Sequence, residues 1–227
     1  MRILLLFIFI FLSTLSFSQT FKYERANIDI SFDTSFYIPE SWKITKTKNI
    51  QNQAHYVNII KSSLDKYPVS ILKNIKKVYL LNTLASNGVS MGGTKYDGFI
   101  FIKVKGITDV NIEKTLHHEF CHILYFKYDN LFPTTEWMKN NKIQYIGSGF
   151  KASYNGSDSK SHKPELFKEG FLYDYATISI DEDMASLAET LFFDIDKIDI
   201  KNNQLLKNKY LLLISFYKKI DSNINIH

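Results

Sequence analysis

The sequence predicts an α+β fold, in which a small twisted sheet lies over one helix and a mostly helical C-terminal part follows. Two runs rich in β-branched and aromatic residues, Lys76–Leu84 and Asp97–Val104, have the length and composition of strands. Apolar residues then recur at every third or fourth position from Asn111 to Lys127, which is the period of a helix. Strands first and helices afterwards indicate an α+β arrangement rather than alternating βαβ units.

The first half of the chain supplies the strands and two shorter helices. Phe21–Trp42 is rich in aromatic residues that alternate with polar ones, as in short strands joined by turns. His55–Lys66 has apolar residues at helical spacing, and Pro68–Lys73 begins with the residue that suits the first turn of a helix. Ser86–Gly98 is dense in turn-forming residues, and we expect an irregular loop there between the two main strands.

The second half is predominantly helical. Asn111 can cap a helix that runs to about Lys127. Asp129–Lys163 is polar and contains few helical signals, which predicts an ordered surface excursion. Three further segments have helical patterns, namely Pro164–Tyr175, Ile180–Phe193 and Asn202–Ile220.

The N-terminus has the features of a secretory signal peptide. Arg2 precedes an unbroken apolar run, Ile3–Leu12, and Ser16–Ser18 offers small residues where a signal peptidase reads them. The apolar run is much shorter than the about 20 residues that a membrane span requires. We therefore expect residues 1–18 to be removed and residues 19–227 to form one domain. The mature protein would be exported, to the periplasm or the extracellular medium, without a stable membrane anchor.

The composition excludes several classes of protein. Hydrophobic residues make up 45% of the chain and charged residues 22%, which is typical of a globular domain and not of a disordered chain. The net charge of +5 comes from scattered lysines rather than a dense basic run, so we expect no nucleic-acid partner. A single cysteine, Cys121, cannot form an internal disulfide, and the fold must depend on its hydrophobic core.

The predicted helix after Asn111 contains the pattern H-E-x-x-H at His118, Glu119 and His122. Residues four apart lie one above the other on a helix, so the two histidines can direct their imidazoles at one point. Glu119 lies one step round the helix, where it can reach a water on a bound metal without binding the metal itself. This pattern is the signature of zinc peptidases. It predicts a Zn²⁺ site with His118 and His122 as ligands and Glu119 as the general base.

Other potential ligands near the motif are less suitable. His117 lies about 100° round the helix from the first motif histidine, so we interpret it as a surface histidine or one that supports the site indirectly. Cys121 lies on a different face of the predicted helix from the two motif histidines. Thiolates bind zinc well, but we interpret Cys121 as a small buried residue. His55, His162 and His227 occur in weak contexts. No third histidine follows the motif at short range.

A catalytic zinc requires a third protein ligand, and the acidic segment after Ser179 offers candidates. Glu182, at the start of a predicted helix, would complete a set of two histidines and one glutamate. Ser179 and Glu182 also form the S-x-x-E capping box of a helix N-terminus, which alone could explain both residues. Asp183 and Glu189 are the alternatives, and spacing does not decide among the three.

The segment Gly170–Phe192 resembles the one that follows H-E-x-x-H in gluzincin peptidases related to anthrax toxin lethal factor. It is similar also to a group of secreted bacterial proteins called putative zinc-binding metallopeptidases. The shared pattern is a Gly-Phe pair, a Tyr-Ala pair, and Glu-Asp-x-Ala seven residues beyond the tyrosine. In this chain these positions are Gly170, Phe171, Tyr175, Ala176, Glu182, Asp183 and Ala185.

The resemblance implies roles for particular residues. Glu182 would be the third zinc ligand, and Tyr175 would donate a hydrogen bond to the oxyanion. The fold would be zincin-like, with the sheet above the H-E-x-x-H helix. The stretch Gly92–Ile102 also resembles the family's loop and substrate-binding edge strand, which places the expected substrate edge near Phe99–Lys103.

One position departs from the family pattern. Family members usually carry another glutamate four residues after the ligand, where this chain has Ser186. If that carboxylate normally orients a zinc-bound histidine, this chain has weaker support for the metal or uses Asp183 or Glu189 instead.

These observations predict an exported zinc metalloendopeptidase of gluzincin type, with Zn²⁺ as cofactor and a peptide or protein as substrate. Glu119 would activate the water, and Tyr175 would stabilise the tetrahedral oxygen. The alternative is a catalytically inactive, secreted zinc-binding protein. Hydrolysis of a non-peptide amide, as in a cell-wall polymer, is a third interpretation.

Overall fold

The computed structural model describes residues 19–33, 42–45, 52–147, 163–192 and 202–226. The predicted signal peptide lies outside the described residues, as do His162 and His227. In the described ranges, no helix has the length and apolar character that crossing a membrane requires.

The described residues form eight strands in two sheets. In chain order they are β1 (Thr20–Tyr23), β2 (Ile28–Ser31), β3 (Trp42–Thr45), β4 (Lys77–Leu81), β5 (Thr83–Ser86), β6 (Val89–Ser90), β7 (Gly93–Tyr96) and β8 (Phe99–Lys103). The larger sheet has the order β1-β2-β4-β8-β7, and the smaller one has the order β3-β5-β6. In the larger sheet β2, β4 and β8 are parallel, whereas β1 and β7 are each antiparallel to their neighbour. Together with the helices, this is the predicted α+β fold.

The segment predicted as an irregular loop, Ser86–Gly98, instead contains β6, β7 and the turns of two hairpins, β5–β6 and β7–β8. Asn87-Gly88 and Asp97-Gly98 both have positive φ at each residue, at 49° and 82° in the first pair and 47° and 81° in the second. Two successive residues of positive φ are typical of the type I′ turn that joins adjacent antiparallel strands. The turn signals were therefore correctly placed, but short strands lie between them.

Two predicted strand assignments are also corrected. The run Lys76–Leu84 is divided at Asn82, so that β4 belongs to the larger sheet and β5 to the smaller one. Phe99–Lys103 is not an edge, because β8 pairs with β4 on one side and β7 on the other. Among the described residues, the edge next to β8 is β7, Gly93–Tyr96.

Seven α-helices are described, and all the predicted helical segments contain one. They are α1 (Gln53–Leu64), α2 (Val69–Leu72), α3 (Asp109–Lys127), α4 (Thr134–Met138), α5 (Pro164–Phe167), α6 (Ile180–Ala188) and α7 (Gln204–Ile220). The cap of α3 is Thr108 rather than Asn111, since the Thr108 hydroxyl accepts from the backbone N–H of Asn111.

The predicted helix Pro164–Tyr175 is interrupted at Gly170. This residue has φ of +91°, and a Cβ there would lie 2.0 Å from the backbone oxygen of Asn140. Only glycine fits such a position. The chain therefore leaves α5, turns at Gly170 and forms a short 3₁₀ helix, Asp174–Thr177, before α6.

Helix α3 is held beneath the larger sheet by apolar side chains. Ile100 and Ile102 of β8 are fully buried in one cluster with Leu116 and Phe120 of α3. Burying each such side chain stabilises the fold by about 1.5–3 kcal/mol. Helix α6 packs against α3 on another side. Helix α3 therefore contacts β7 on one side and α6 on another.

Candidate metal centre

Three potential ligand atoms form a compact triangle between α3 and α6. The Nε2 atoms of His118 and His122 are 3.2 Å apart, and Oε2 of Glu182 lies 3.1 Å from the first and 3.4 Å from the second. In a tetrahedral zinc site with bonds of about 2.0–2.1 Å, neighbouring ligand atoms are about 3.3–3.4 Å apart. The triangle thus has nearly the dimensions of one face of a zinc tetrahedron, and the group could hold a metal ion.

The first turn of α6 directs Glu182 at the histidines. Ser179 is the N-cap, and its hydroxyl accepts from the Glu182 backbone N–H at 3.4 Å. The same hydroxyl donates to Asp181 at 2.5 Å. The Glu182 carboxylate is turned towards α3, where its contacts are the two histidines and Tyr175. Ser179 therefore acts as a cap, but capping does not account for the side chain of Glu182.

The electrostatics of Glu182 favour its charged form. Burial alone would raise the pKa of this carboxyl group, but the hydrogen bonds and charges of His118 and His122 hold the pKa well below its usual range. A carboxylate and two imidazoles that converge on one point constitute the nitrogen and oxygen donor set of catalytic zinc sites.

Glu189 contacts His118 at Nδ1, the ring nitrogen that is not part of the triangle. Its Oε1 lies 2.7 Å from Nδ1 of His118, and its Oε2 accepts a hydrogen bond from the Tyr173 hydroxyl at 3.1 Å. Carboxylates commonly contact the outer nitrogen of a metal-bound histidine in this way, fixing the ring and its tautomer. Position 186 is a serine, and the carboxylate that contacts His118 Nδ1 is that of Glu189. Nothing in the local sequence marks Tyr173 as its partner.

Asp183, the other alternative, lies away from the triangle. Its Oδ2 accepts from Lys209 at 2.6 Å, from the Trp137 indole at 2.9 Å and from the Tyr145 hydroxyl at 2.7 Å. Both Asp183 and Lys209 are buried. Desolvation raises the pKa of Asp183, while the charge of Lys209 opposes that shift. This residue therefore joins α6 to α7 and is not positioned to bind the same metal.

Glu119 and Tyr175 flank the triangle. Glu119 is only 7% exposed, and its Oε1 lies beneath β7, where a Cβ on Gly93 would come within 3.1 Å of it. The Tyr175 hydroxyl donates to Oε1 of Glu182 at 3.1 Å, and its ring centroid is 6.0 Å from that of His118. Burial and the nearby carboxylates raise the pKa of Tyr175, so its hydroxyl keeps its proton and remains a donor.

The neighbouring histidine and cysteine do not join the triangle. His117 is fully buried, not at the surface, with Nδ1 2.8 Å from the Tyr67 hydroxyl and Nε2 3.5 Å from Glu113. Cys121 is fully buried, as predicted, and desolvation raises the pKa of its thiol to about 12. It therefore stays protonated in the core. His55 is paired with Asp109 at 3.0 Å on the surface.

Comparison with known proteins identifies one family. Residues 76–218 match the model of a family described as "Putative zinc-binding metallo-peptidase". A crystal structure of a putative zinc-binding metallo-peptidase from Bacteroides caccae is similar to the chain, with 15% identity and a TM-score of 0.48 over 89% of this chain and 82% of that one. No curated protein sequence matches the chain. The family match extends from the start of β4 into α7 and includes every residue of the triangle.

Proposed function

The chain belongs to the family described as putative zinc-binding metallo-peptidases, and on this premise we propose that it is an exported zinc metallopeptidase of gluzincin type. The observation that supports this most directly is the triangle of His118, His122 and Glu182, with Glu119 beside it but outside it. The inactive alternative was favoured by the missing carboxylate at Ser186. The 2.7 Å contact of Glu189 with His118 supports the active enzyme over this alternative.

The residues in and around the triangle can perform the steps of peptide hydrolysis. Zinc, when bound, would supply Lewis-acid chemistry, which lowers the pKa of a coordinated water to about 7. Glu119 accepts a proton from the attacking water and returns it to the nitrogen of the leaving amine. Tyr175 donates a hydrogen bond to the oxygen that becomes negative as the carbonyl carbon turns tetrahedral.

The substrate would bind as an added strand along β7. Strand β7 is an edge within the described part of the chain, and its first residue, Gly93, lies directly over Glu119. An extended peptide that pairs with an exposed edge gains main-chain hydrogen bonds whatever its sequence. The edge strand would therefore present a peptide bond to Glu119.

The proposed function predicts a metal-dependent activity. Purified mature protein should contain about one zinc per chain and should cleave casein, and 1,10-phenanthroline should abolish the cleavage until Zn²⁺ is restored.

Glu182→Ala removes one of three ligand atoms, so metal analysis should show strongly reduced zinc. The exposed carboxylate of Glu165 on α5 provides a control, because Glu165→Ala should retain zinc. Full zinc occupancy in Glu182→Ala would mean that the third ligand is wrong. Intact casein with zinc-loaded protein would favour the inactive zinc-binding alternative.

A second expectation concerns Glu189. Glu189→Gln keeps the size of the side chain but removes the charge 2.7 Å from His118 Nδ1. Loss of such a supporting contact typically lowers metal affinity by about 10–100-fold. Competition titration against a chromophoric chelator measures the zinc affinity directly, without any assay of activity. Asp181→Asn is the matched control, since Asp181 lies 3.7 Å from His122 Nδ1 and should matter less. Equal zinc affinities for Glu189→Gln and the wild type would contradict the assignment.

A further inference from the structure

The residues of β7 that face α3 are fixed by its pairing with β8. Gly93 and Lys95 are opposite Ile102 and Ile100, which are buried against α3. Directly opposed residues of adjacent strands have their side chains on the same face of a sheet. Gly93 and Lys95 therefore lie on the α3 side, which agrees with the closeness of Gly93 to Glu119.

The backbone groups of Gly93 and Lys95 point towards the edge that β7 forms in the described part of the chain. The N–H of Lys103 donates to the oxygen of Gly92 at 2.8 Å, so these two residues form a hydrogen-bonded pair. Hydrogen-bonded and non-bonded pairs alternate along an antiparallel ladder. Thr94 is therefore bonded to β8, whereas the N–H and C=O groups of Gly93 and Lys95 point away from it. A peptide residue that pairs with Lys95 would place its side chain on the α3 face, beside the Lys95 side chain.

On that face the ammonium of Lys95 lies over an exposed aromatic ring. Its Nζ is 4.1 Å from the ring centroid of Phe126, and Phe126 is 56% exposed. The Phe126 ring in turn lies near that of His122, with centroids 6.3 Å apart and planes inclined by 22°. No carboxylate of the described residues is within ion-pair distance of Lys95. Within the described residues, the Lys95 ammonium thus has no carboxylate partner, and the Phe126 ring lies between it and a proposed zinc ligand.

We propose that Lys95 and Phe126 form a subsite for an acidic side chain of the substrate, an inference that rests on the proposed function. The ammonium attracts a carboxylate and repels a basic side chain, and the Phe126 ring offers an apolar surface for the methylene groups of glutamate. A strand antiparallel to β7 runs from Tyr96 towards Gly93. The residue at Lys95 therefore lies on the amino-terminal side of the peptide bond presented to Glu119.

Two sets of fluorescent peptides test the inference. All the peptides share one cleavable core, and each set carries a single charged residue, Glu or Lys, at successive positions on the amino-terminal side of that core. Binding is measured by anisotropy with Glu119→Gln protein, and cleavage is measured with the wild type. At one amino-terminal position, Glu should bind about tenfold more tightly than Lys, because the exchange replaces one partly exposed attraction by a repulsion of similar size. In the Glu119→Gln protein, the additional change Lys95→Gln should remove this preference for Glu, and the additional change Lys95→Glu should reverse it. Because the whole protein carries a net charge of +5, Lys127→Glu, one residue beyond Phe126 on α3, controls for general attraction of acidic peptides.

The outcomes separate this inference from the proposed function. Equal binding of both peptide sets, or an equal loss of preference in Lys127→Glu and Lys95→Glu, would overturn the acidic subsite. Cleavage by the wild type without regard to charge would also overturn it and leave the peptidase assignment standing. Charge-dependent binding that requires Lys95, without cleavage of any peptide by the wild type, would support the subsite and contradict the peptidase assignment.

Discussion

Glu119→Gln should lower the rate of peptide cleavage by about 10²–10⁴ while leaving one zinc per chain bound. The amide cannot accept the proton of the attacking water, which removes general-base catalysis. Zinc should stay, because the triangle consists of His118, His122 and Glu182 and does not include Glu119. The amide also fits the space beneath Gly93 that the carboxylate occupies, since the two groups have the same size. Steady-state turnover and metal analysis on the same preparation measure both quantities.

The matched control is Glu136→Gln on α4, which makes the same carboxylate-to-amide change at an exposed residue. Glu136→Gln should cleave as fast as the wild type. Wild-type turnover in Glu119→Gln would overturn the peptidase assignment itself. Loss of zinc together with turnover would contradict the prediction that Glu119 lies outside the metal site, and the fall in turnover would then no longer measure its role as a base.

The motif residues were predictable from local sequence, but the proposed third ligand was not. Spacing by four places His118 and His122 on one face of any helix. Glu182, Asp183 and Glu189 all belong to one acidic segment, and only packing shows which face of that segment meets α3. Seven residues are nearly two helical turns, so Glu182 and Glu189 share a face, while the residue after Glu182 is turned by about 100°. That spacing was visible in the sequence, although which face turns inward depends on tertiary structure.

The sheet was less predictable than the helices for a related reason. A helix satisfies its hydrogen bonds within one segment, so its apolar period suffices to identify it. Strands as short as β6 and β7 depend on partners, and their residues lie in a stretch dominated by Asn87-Gly88 and Asp97-Gly98. The density of turn-forming residues predicts a loop, but Asn-Gly and Asp-Gly pairs are also typical of the two-residue turns of hairpins. The difference bears on function, because the resemblance places the substrate edge near Phe99–Lys103, whereas β7 is the edge among the described residues.

Lys209→Met should be the most destabilising of the changes considered, at about 3–5 kcal/mol of unfolding free energy, which is typical of breaking a buried ion pair. Lys209 is fully buried, and its Nζ lies 2.6 Å from Oδ2 of Asp183 and 2.6 Å from the carbonyl oxygen of Gly170. Methionine fills similar space but leaves the buried carboxylate without its cation. Urea unfolding in the presence of EDTA measures the difference without the contribution of metal binding.

Lys207→Met is the matched control, because Lys207 is exposed on the same helix and should change the stability by no more than about 0.5 kcal/mol. The double variant Asp183→Leu with Lys209→Met should lose much less stability than the two single changes added together, since it leaves neither charge unpaired. Asp183 also accepts from Trp137 and Tyr145, so the double variant should still be less stable than the wild type. If Lys209→Met unfolds at the same urea concentration as Lys207→Met, the buried pair does not hold α6 against α7. The orientation of Glu182 towards α3 would then have to depend on the Ser179 cap and the apolar contacts of α6 alone.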